Sequence, residues 1–297
     1  MKTELLQFGI IKEQENLKKY NTFRLGGTCK YMIEPRNKLE LQRLLIYLKE
    51  EKIKYFILGN GSNVILNDTD YDGVVIRLNQ FDHLLVEDHQ ITVGAGVMLP
   101  KLTLETMRYN LSGFEWAYGI PGTVGGAIYG NAEAYKEAMF DHLLEVSVIT
   151  PENEFKVFQK EELTYGYRTS FFKENPGYVI LEASFLLSVG DIKESKEKIE
   201  QRKIKRIATQ PLEYPSAGSV FRNPSCENPS GKMIEELGLK GCRIGGAEAS
   251  KKHANFIINT GNATSQDVRN LIELIHQEVK NKKKIDLIME QEFVGWD

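Results

Sequence analysis

The feature of this sequence that most constrains its fold is a dense run of glycines in the middle of the chain. Residues 113–131 read GFEWAYGIPGTVGGAIYGN, with glycine at positions 113, 119, 122, 125, 126 and 130. Glycine weakens both helices and strands because it loses the most backbone freedom on folding. The run therefore predicts mostly irregular backbone that passes close to another group. The aromatic side chains within it either border a ring system or belong to the core.

A shorter glycine segment, Gly59-Asn60-Gly61-Ser62-Asn63, lies between two short apolar runs. Its backbone N–H groups and neutral side-chain donors suit a pyrophosphate. The alternative is a tight turn between two strands. A Rossmann fingerprint is disfavoured because Val64 stands where its third glycine would be, and the GK[ST] of a Walker A loop is missing. A dinucleotide bound here would therefore require another fold.

We call residues 59–63 the first glycine loop and residues 120–130 the second glycine loop. Each follows an apolar segment, so the two loops could hold two parts of one extended cofactor. The alternative for the second glycine loop is an Ω-loop that binds nothing.

Hydrophobic periodicity predicts an alternation of helices and short strands. Residues 37–51 form a helix with Asn37 as its N-cap, and residues 265–281 form another that begins with the capping pair Thr264 and Asp267. A charged helix over residues 191–207 joins two domains. Predicted strands and apolar runs cover residues 55–58, 64–66, 74–78, 91–93, 143–149, 178–187 and 286–294.

Composition narrows the class of protein. The net charge of −3 gives no global electrostatic case for nucleic-acid binding. Cys29, Cys226 and Cys242 lie far apart without CxxC spacing, which argues against disulfides and a zinc site and predicts buried or half-buried thiols. The N-terminus lacks the apolar run of a signal peptide, and no stretch approaches the roughly 20 apolar residues of a membrane span. We therefore expect a cytosolic protein without a metal site.

Two later motifs place polar residues in settings that suit catalysis. Arg168, in YGYRTS at a predicted strand start, could stabilise an oxyanion or an enolate; alternatively it is satisfied by a structural carboxylate or stacked on tyrosine. Ser219 follows Gly218 in AGSVFRNP, but Phe221 rules out the GxSxG elbow. Without a histidine partner Ser219 is a poor nucleophile that can still donate a proton, or else a turn serine.

Glu290 lies in the apolar C-terminal segment Leu287-Ile288-Met289-Glu290. Strand alternation places it on the same face as Ile288 and away from the exposed face. That placement would bury its carboxyl group and raise its pKa. Glu292 falls on the same face, so the pattern does not distinguish the two glutamates.

These segments together identify a known family. The motifs NTFRLGG, LGNGSNVIL, GIPGTVGGAIYGNA, YGYRTSFF, AGSVFRNP, GLKGCRIGGAEAS and KHANFIIN follow one another from end to end of the chain. In these motifs the chain closely resembles the UDP-N-acetylenolpyruvoylglucosamine reductases, which make UDP-N-acetylmuramate for peptidoglycan.

The resemblance implies an α+β fold. Residues 1–80 and 81–190 would be two subdomains of an FAD-binding unit of the vanillyl-alcohol-oxidase (PCMH) type, and residues 200–297 an α/β substrate-binding domain. The first glycine loop would cradle the FAD pyrophosphate. The second would approach the flavin through Ile120, Pro121, Gly122, Thr123, Gly125, Gly126 and Ile128.

The resemblance also implies the chemistry. NADPH would reduce non-covalently bound FAD and leave, and UDP-N-acetylglucosamine enolpyruvate would then accept hydride at its vinyl carbon. By motif position Arg168 and Glu290 would activate and hold the substrate carboxylate, Ser219 would donate a proton, and Asn223 would contact the substrate. The only partner implied is this small molecule, with no nucleic acid, membrane or protein.

The chain departs from the family pattern in two places. The segment after Arg168 runs directly into residues 178–187, which leaves no room for the tyrosine loop of one branch, so the chain resembles the shorter second type. The usual Glu-Val-Arg end motif is Glu290-Gln291-Glu292 here, which leaves the role of the arginine unassigned. Arg202 and Arg206, one helical turn apart, either face the UDP phosphates or lie on a solvated helix face.

Two other functions fit parts of the pattern. A flavin oxidase of the same fold often carries a histidine for covalent flavin attachment, and neither glycine loop contains one. A non-catalytic flavin or nucleotide-sugar binding protein would have no reason to keep Arg168, Ser219 and Glu290 together.

Overall fold

The computed structural model describes residues 2–225 and 227–296. The chain divides into two compact units that alternate along the sequence. The first unit consists of Met1–Glu13, Tyr31–Asn60 and Gly73–Ile204, and the second of Gln14–Lys30, Gly61–Asp72 and Lys205–Asp297. Two N-terminal segments therefore join the C-terminal third, whereas the sequence predicted consecutive domains. The functional assignment of those domains stays a prediction.

The helices range from single turns to long rods. They are α1 (Lys2–Leu5), α2 (Lys38–Glu50), α3 (Leu99–Arg108), α4 (Val124–Tyr129), α5 (Phe171–Glu174), α6 (Ile192–Thr209), α7 (Ser230–Glu236) and α8 (Ser265–Lys283). Short 3₁₀ turns cover Leu6–Phe8, Leu17–Tyr20, Met139–Asp141 and Lys160–Glu162.

The strands are mostly short. They are β1 (Ile10–Asn16), β2 (Thr28–Glu34), β3 (Tyr55–Ile57), β4 (Val64–Leu66), β5 (Tyr71–Ile76), β6 (Leu84–Glu87), β7 (Gln90–Gly94), β8 (Leu111–Ser112), β9 (Glu133–Ala134), β10 (Glu137–Ala138), β11 (Leu143–Ile149), β12 (Phe155–Gln159), β13 (Tyr165–Gly166), β14 (Thr169–Ser170), β15 (Val179–Leu186), β16 (Ser188–Val189), β17 (Arg243–Ile244), β18 (Ala247–Ala249), β19 (Ile257–Asn259) and β20 (Glu292–Val294).

The largest sheet lies in the first unit and is antiparallel, with the order β12-β11-β15-β7-β6. Another sheet has the order β1-β2-β5-β3, in which β3 and β5 are parallel. The second unit contains the antiparallel sheet β17-β18-β19 and the parallel pair β20-β4. Each unit buries its own hydrophobic core.

The two best-specified helices form where the sequence predicts them. Asn37 Oδ1 accepts hydrogen bonds from the N–H groups of Leu39 and Glu40, both at 3.0 Å, and so caps α2. At α8 the Thr264 side chain accepts from Asp267 N–H at 3.0 Å, and the Asp267 carboxylate accepts from Thr264 N–H at 2.9 Å. Each helix buries its predicted apolar stripe: Leu41, Leu44, Leu45 and Leu48 in α2, and Val268, Leu271, Ile272, Ile275 and Val279 in α8.

The predicted strand over residues 286–294 is wrong for most of its length, because only Glu292–Val294 forms β20. The segment that precedes β20 pairs with the segment around Phe221 through an isolated bridge between Phe221 and Met289. Its alternation is also inverted relative to the prediction, since Leu287 is buried and Ile288 is 62% exposed. Glu290 is therefore half-buried instead of sharing a buried face with Ile288.

Two of the three cysteines match the prediction of buried or half-buried thiols. Cys29 is fully buried, and burial raises its thiol pKa to about 11, while Cys242 is half-buried. Cys226 lies outside the described residues. Across residues 2–225 and 227–296 we find no helix with the length and apolar character needed to cross a membrane. The same ranges contain no cluster of three or more His, Cys, Asp or Glu side chains suited to a metal ion.

Candidate active site

Within the first unit, parts of the two glycine loops contact each other. The side-chain amide of Asn60 donates to the carbonyl of Pro121 at 2.7 Å. A Cβ at position 59 would lie 2.7 Å from Thr123 Oγ1, so only glycine allows this approach. The structure thus joins loops that are about sixty residues apart in sequence, as binding of one extended cofactor requires.

The joined loops leave backbone donors available. In the part of the chain that the structure describes, the N–H groups of Gly59, Asn60, Gly122 and Thr123 donate to no protein acceptor. Backbone N–H groups without a protein acceptor can bind an anion, so a pyrophosphate could be held here without a lysine. The residues present therefore fit the phosphate part of a dinucleotide.

The second glycine loop is more regular than predicted, because residues 124–129 form α4. Thr123 Oγ1 accepts from Gly126 N–H at 3.3 Å and caps the helix. Gly125 packs against Ala95, where a Cβ would lie 2.9 Å from the alanine Cβ, so close packing outweighs the low helix propensity of glycine. Gly126 is exposed instead, and a Cβ there would meet only Thr123 Oγ1 at 3.4 Å among the described residues. The helix α4 is therefore accessible at Gly126.

Other residues of the predicted cofactor set have structural contacts. Ile128 is fully buried in the core of the first unit, and Ile120 is half-buried against that core. In the second unit, Gly61 O accepts from Thr22 N–H at 3.1 Å. The Asn63 amide, expected to face a pyrophosphate, donates to the Glu290 carbonyl at 3.0 Å. Contacts of these residues, and of Ser62, with a cofactor stay predictions.

Arg168 lies in the first unit, in the turn of a hairpin and directly before the first residue of β14. Strands β13 and β14 pair Tyr165 with Ser170, and Tyr167 and Arg168 connect them. Arg168 has a φ of +59°, a left-handed conformation that non-glycine residues rarely adopt outside turns. Its guanidinium lies 5.8 Å from the centroid of the Tyr167 ring, and the side chain is half-buried.

Asn131, which the sequence analysis did not single out, anchors this hairpin. Its Nδ2 donates to Gly166 O at 2.9 Å, and its Oδ1 accepts from Phe140 N–H at 3.3 Å. Nearby, Ser170 Oγ donates to Tyr129 O at 2.7 Å at the end of α4. Asn131 is 4% exposed and has a φ of +42°. The signal in the sequence was an asparagine directly after the glycine run, since asparagine tolerates left-handed backbone.

In the second unit the structure brings Ser219 and Glu290 onto two adjacent segments. Glu290 N–H donates to the carbonyl of Val220 at 2.8 Å, next to the bridge between Phe221 and Met289. Ser219 therefore immediately precedes the residue that accepts from Glu290. Both side chains are half-buried.

Two buried carboxamides that the sequence analysis missed hold the Ser219 segment. Asn255 Oδ1 accepts from Phe221 N–H at 3.0 Å, and Asn255 Nδ2 donates to Phe221 O at 2.8 Å. Gln291 Nε2 donates to the carbonyls of Ala217 at 3.0 Å and Gly218 at 3.1 Å. Both lie beside or within recognisable motifs, but no sequence pattern indicates which backbone groups an amide reaches.

The predicted substrate-contact residues have protein partners. Asn223 is exposed, and its Oδ1 accepts from Ser230 N–H at the start of α7 at 3.0 Å. Arg202 donates to Glu137 at 2.6 Å, so its guanidinium is paired within the protein. Arg206 is half-buried one turn later in α6. Phosphate or substrate binding by these residues stays a prediction.

A buried carboxylate in the glycine-rich run supports the start of α6. Glu115 is 4% exposed and accepts from Ser112 Oγ at 2.7 Å, Ser195 Oγ at 2.6 Å and Gly113 N–H at 3.0 Å. Burial alone would raise the pKa of Glu115, but these hydrogen bonds outweigh burial and hold the pKa below its ordinary value. The α6 helix that carries Arg202 is thereby tied to residues 111–115.

Comparison with known proteins matches both ends of the chain to described families. The FAD binding domain family matches residues 29–158. The family described as UDP-N-acetylenolpyruvoylglucosamine reductase, C-terminal domain, matches residues 210–294.

Whole-length relatives carry the same name. A UDP-N-acetylenolpyruvoylglucosamine reductase of Caldanaerobacter subterraneus subsp. tengcongensis is 41% identical, over 98% of this chain and 96% of the relative. One of Clostridium tetani is 39% identical, over 97% of this chain and 93% of the relative. The crystal structure of the Thermus caldophilus reductase has a TM-score of 0.80 at 34% identity and covers 96% of this chain and 99% of its own.

A more distant structure resembles this chain in fold alone. It is 6-hydroxy-D-nicotine oxidase of Arthrobacter nicotinovorans, with a TM-score of 0.50 at 14% identity over 64% of this chain and 44% of its own. The predicted fold class, an α+β chain with an FAD-binding domain of the vanillyl-alcohol-oxidase type before a C-terminal domain, is confirmed. The chain belongs to the UDP-N-acetylenolpyruvoylglucosamine reductase family.

Proposed function

We propose that this protein reduces the enolpyruvyl group of UDP-N-acetylglucosamine enolpyruvate to give UDP-N-acetylmuramate, with NADPH as reductant and non-covalently bound FAD as carrier. The observation that carries this proposal is the 41% identity to a reductase of that name over 98% of the chain. The product is a precursor of peptidoglycan, so the reaction would serve cell-wall synthesis, and hence cell shape and division, in the cytoplasm.

The joined loops of the first unit would hold the cofactor. The available N–H groups of Gly59, Asn60, Gly122 and Thr123 suit its pyrophosphate, and the open face at Gly126 suits its ring system. FAD, when bound there, would supply the hydride chemistry that links oxidation of NADPH to reduction of the vinyl carbon of the substrate.

Three side chains would manage the charge that hydride addition creates. Addition at the vinyl carbon leaves negative charge on the carbon that bears the carboxylate. Arg168 would hold that carboxylate as a permanent cation, and Glu290 would help to activate it. Ser219 would give its hydroxyl proton to the carbanionic carbon, and solvent would return a proton to the serine.

Serine is a weak acid, so its role needs support from its surroundings. A preorganised site that stabilises developing charge can compensate for an unfavourable pKa. The segment around Ser219 suits such a site, because buried carboxamides fix its backbone on two sides. These bonds would hold the backbone of Ser219 in one orientation.

The proposal is tested by the absorbance spectrum of the purified protein. We expect a flavin band at about 450 nm that bleaches anaerobically with NADPH and returns when the enolpyruvyl substrate is added. A protein that neither contains nor takes up FAD would refute the proposal. Bleaching that only oxygen reverses would indicate an oxidase instead.

The roles of the side chains are tested separately from the overall reaction. Ser219→Ala should slow flavin reoxidation by the enolpyruvyl substrate by about 10²–10⁴-fold and leave flavin reduction by NADPH unchanged. Ser216→Ala, the same change three residues earlier in the segment, is the matched control and should leave both half-reactions intact. Loss of both half-reactions in Ser219→Ala, or of neither, would contradict the proton-donor role.

A further inference from the structure

We propose that Gln291 is a positioning residue that orients Ser219 for proton transfer, an inference that rests on the proposed function. Gln291 follows Glu290 directly, and its Nε2 donates to the carbonyls of Ala217 at 3.0 Å and Gly218 at 3.1 Å. These are the two residues that immediately precede Ser219. Gln291 touches no reacting atom in this role and acts through the serine backbone.

The chemistry of the amide fixes its orientation. Carbonyl oxygens only accept hydrogen bonds, so the NH₂ end of Gln291 must face Ala217 and Gly218. Each amide hydrogen then has one acceptor. The side chain is 4% exposed, and its Oε1 is buried without a donor among residues 2–225 and 227–296. An acceptor left unsatisfied is costly in a protein interior, so Gln291 is placed here for its two donated bonds and not for packing.

The segment that Gln291 holds would otherwise have conformational freedom. Gly218 has a φ of +77°, and a Cβ there would have no described neighbour within 4 Å. Glycine is therefore favoured at position 218 by the backbone conformation and not by close packing. Glycine also passes between backbone conformations more easily than other residues. Rotation about the backbone bonds of Gly218 would reorient Ser219. The two bonds from Gln291 restrain this rotation, because they hold the carbonyls on either side of the Gly218 Cα.

Gln291 and Glu290, whose carboxylate is predicted to be catalytic, are adjacent on the same segment. Glu290 N–H donates to Val220 O at 2.8 Å, while the Glu290 carbonyl accepts from Asn63 Nδ2 at 3.0 Å. Residues 290 and 291 therefore bond to the backbone on both sides of Ser219. The register of this segment against residues 217–220 sets the orientation of the serine relative to Glu290.

This orientation matters for one step of the reaction. The Ser219 O–H bond breaks, its proton forms a C–H bond at the carbon next to the carboxylate, and a solvent proton restores the hydroxyl. Proton transfer requires heavy atoms within hydrogen-bond distance. A displacement of about 1 Å slows such a step by up to about a hundredfold. Flavin reduction by NADPH does not use Ser219 and should not depend on Gln291.

The test uses the full-length flavoprotein and the variant Gln291→Met, which keeps a long unbranched side chain but has no donor. We expect flavin reoxidation by the enolpyruvyl substrate to slow by about tenfold to a hundredfold, with flavin reduction by NADPH unchanged. The solvent deuterium isotope effect on reoxidation should increase, because proton transfer becomes the slower step. The isosteric variant Gln291→Glu, whose carboxylate cannot donate, should behave in the same way.

Two controls separate positioning from loss of stability. Val279→Ala removes buried methyl groups from α8 in the same unit and should lower the melting temperature without changing either half-reaction. In a Ser219→Ala background, Gln291→Met should have less than about a twofold further effect on reoxidation, since residues that act through one another are not additive.

The outcomes distinguish the inference from the function on which it rests. If Gln291→Met reoxidises at the wild-type rate, or slows equally in the Ser219→Ala background, Gln291 does not position the serine. If Ser219→Ala itself reoxidises normally, the proton-donor role fails first, whatever Gln291 does. Equal slowing of both half-reactions in Gln291→Met and Val279→Ala would assign Gln291 to stability alone.

Discussion

Replacement of the buried Glu115 carboxylate tests the electrostatic reasoning most directly. At neutral pH its two oxygens accept from two serine hydroxyls and one backbone N–H, all within 3.0 Å. In Glu115→Gln the amide oxygen can keep the bond from Gly113, and the NH₂ can donate to hydroxyls that rotate. The geometry survives, and what is lost is the extra strength of hydrogen bonds to a charged acceptor.

That loss can be estimated. A hydrogen bond to a charged group contributes about 1.5–3 kcal/mol and a neutral one about 0.5–1.5 kcal/mol, a difference of about 1 kcal/mol per bond. Three bonds give a loss of about 3 kcal/mol. The net loss is smaller, because the neutral amide does not carry the cost of burying a charge. We therefore expect Glu115→Gln to lower the free energy of unfolding of the first unit by about 1–3 kcal/mol at pH 7.

The sign of the pH dependence follows from the lowered pKa of Glu115 in the folded protein. A carboxyl group with a depressed folded pKa stabilises the protein above its unfolded pKa of about 4.3, and that contribution disappears as the pH falls through the folded pKa. The difference between wild type and Glu115→Gln should therefore be constant from pH 7 to about pH 5 and shrink in more acidic solution.

The assay is urea unfolding of both proteins at several pH values between neutral and acidic. Glu105→Gln is the matched control, because Glu105 pairs with Arg108 at the surface of α3, where such pairs contribute only about 0.2–1 kcal/mol. Equal stability of wild type and Glu115→Gln at pH 7 would refute the reasoning. So would a difference that grows on acidification.

Three further substitutions test the loops and the hairpin. Gly126→Ala should leave the FAD-free protein as stable as the wild type or more stable, since alanine favours a helix over glycine by about 1 kcal/mol. It should weaken FAD binding about tenfold in a flavin titration. Unchanged affinity would exclude Gly126 from the cofactor site. Gly125→Ala should instead destabilise the fold itself, because its Cβ would lie 2.9 Å from that of Ala95. Asn131→Ala should lower the unfolding free energy by about 2–4 kcal/mol, because the buried N–H of Phe140 and the half-buried carbonyl of Gly166 lose their partner. It should also slow substrate reduction more than flavin reduction through the Arg168 hairpin; equal slowing of both half-reactions would argue against that link.

The sequence predicts the elements whose signals are local. An N-cap followed by an apolar stripe located α2 and α8, and the strand predicted over residues 143–149 forms as β11. The predicted strand over residues 286–294 failed because a two-residue alternation assumes continuous pairing, and Phe221 and Met289 form only an isolated bridge. The helix α4 was missed because helix propensity does not register the close packing of Gly125 on Ala95.

The candidate site likewise contains features that local sequence signals predict and features that they do not. Residue types reveal which groups could do chemistry, and so Arg168, Ser219 and Glu290 could be named from motifs. The left-handed turn at Arg168 could not be predicted from the sequence, because a non-glycine residue adopts this conformation only when contacts such as those of Asn131 hold it there. The partners of Asn131 are the Gly166 carbonyl and the Phe140 N–H, which are backbone groups and leave no trace in the sequence.

The same argument explains why the positioning residues are carboxamides. A buried asparagine or glutamine can donate and accept at once without a charge, so it can join two backbone segments at a lower desolvation cost than a carboxylate or an ammonium. Asn63, Asn255 and Gln291 bond to backbone groups of residues 217–221 and 290, across separations of up to 227 residues; Asn255 both donates and accepts, whereas Asn63 and Gln291 donate. A site held in this way should tolerate changes in surface chemistry but respond to the loss of a single amide, because each amide restrains backbone that no side chain of its own segment fixes.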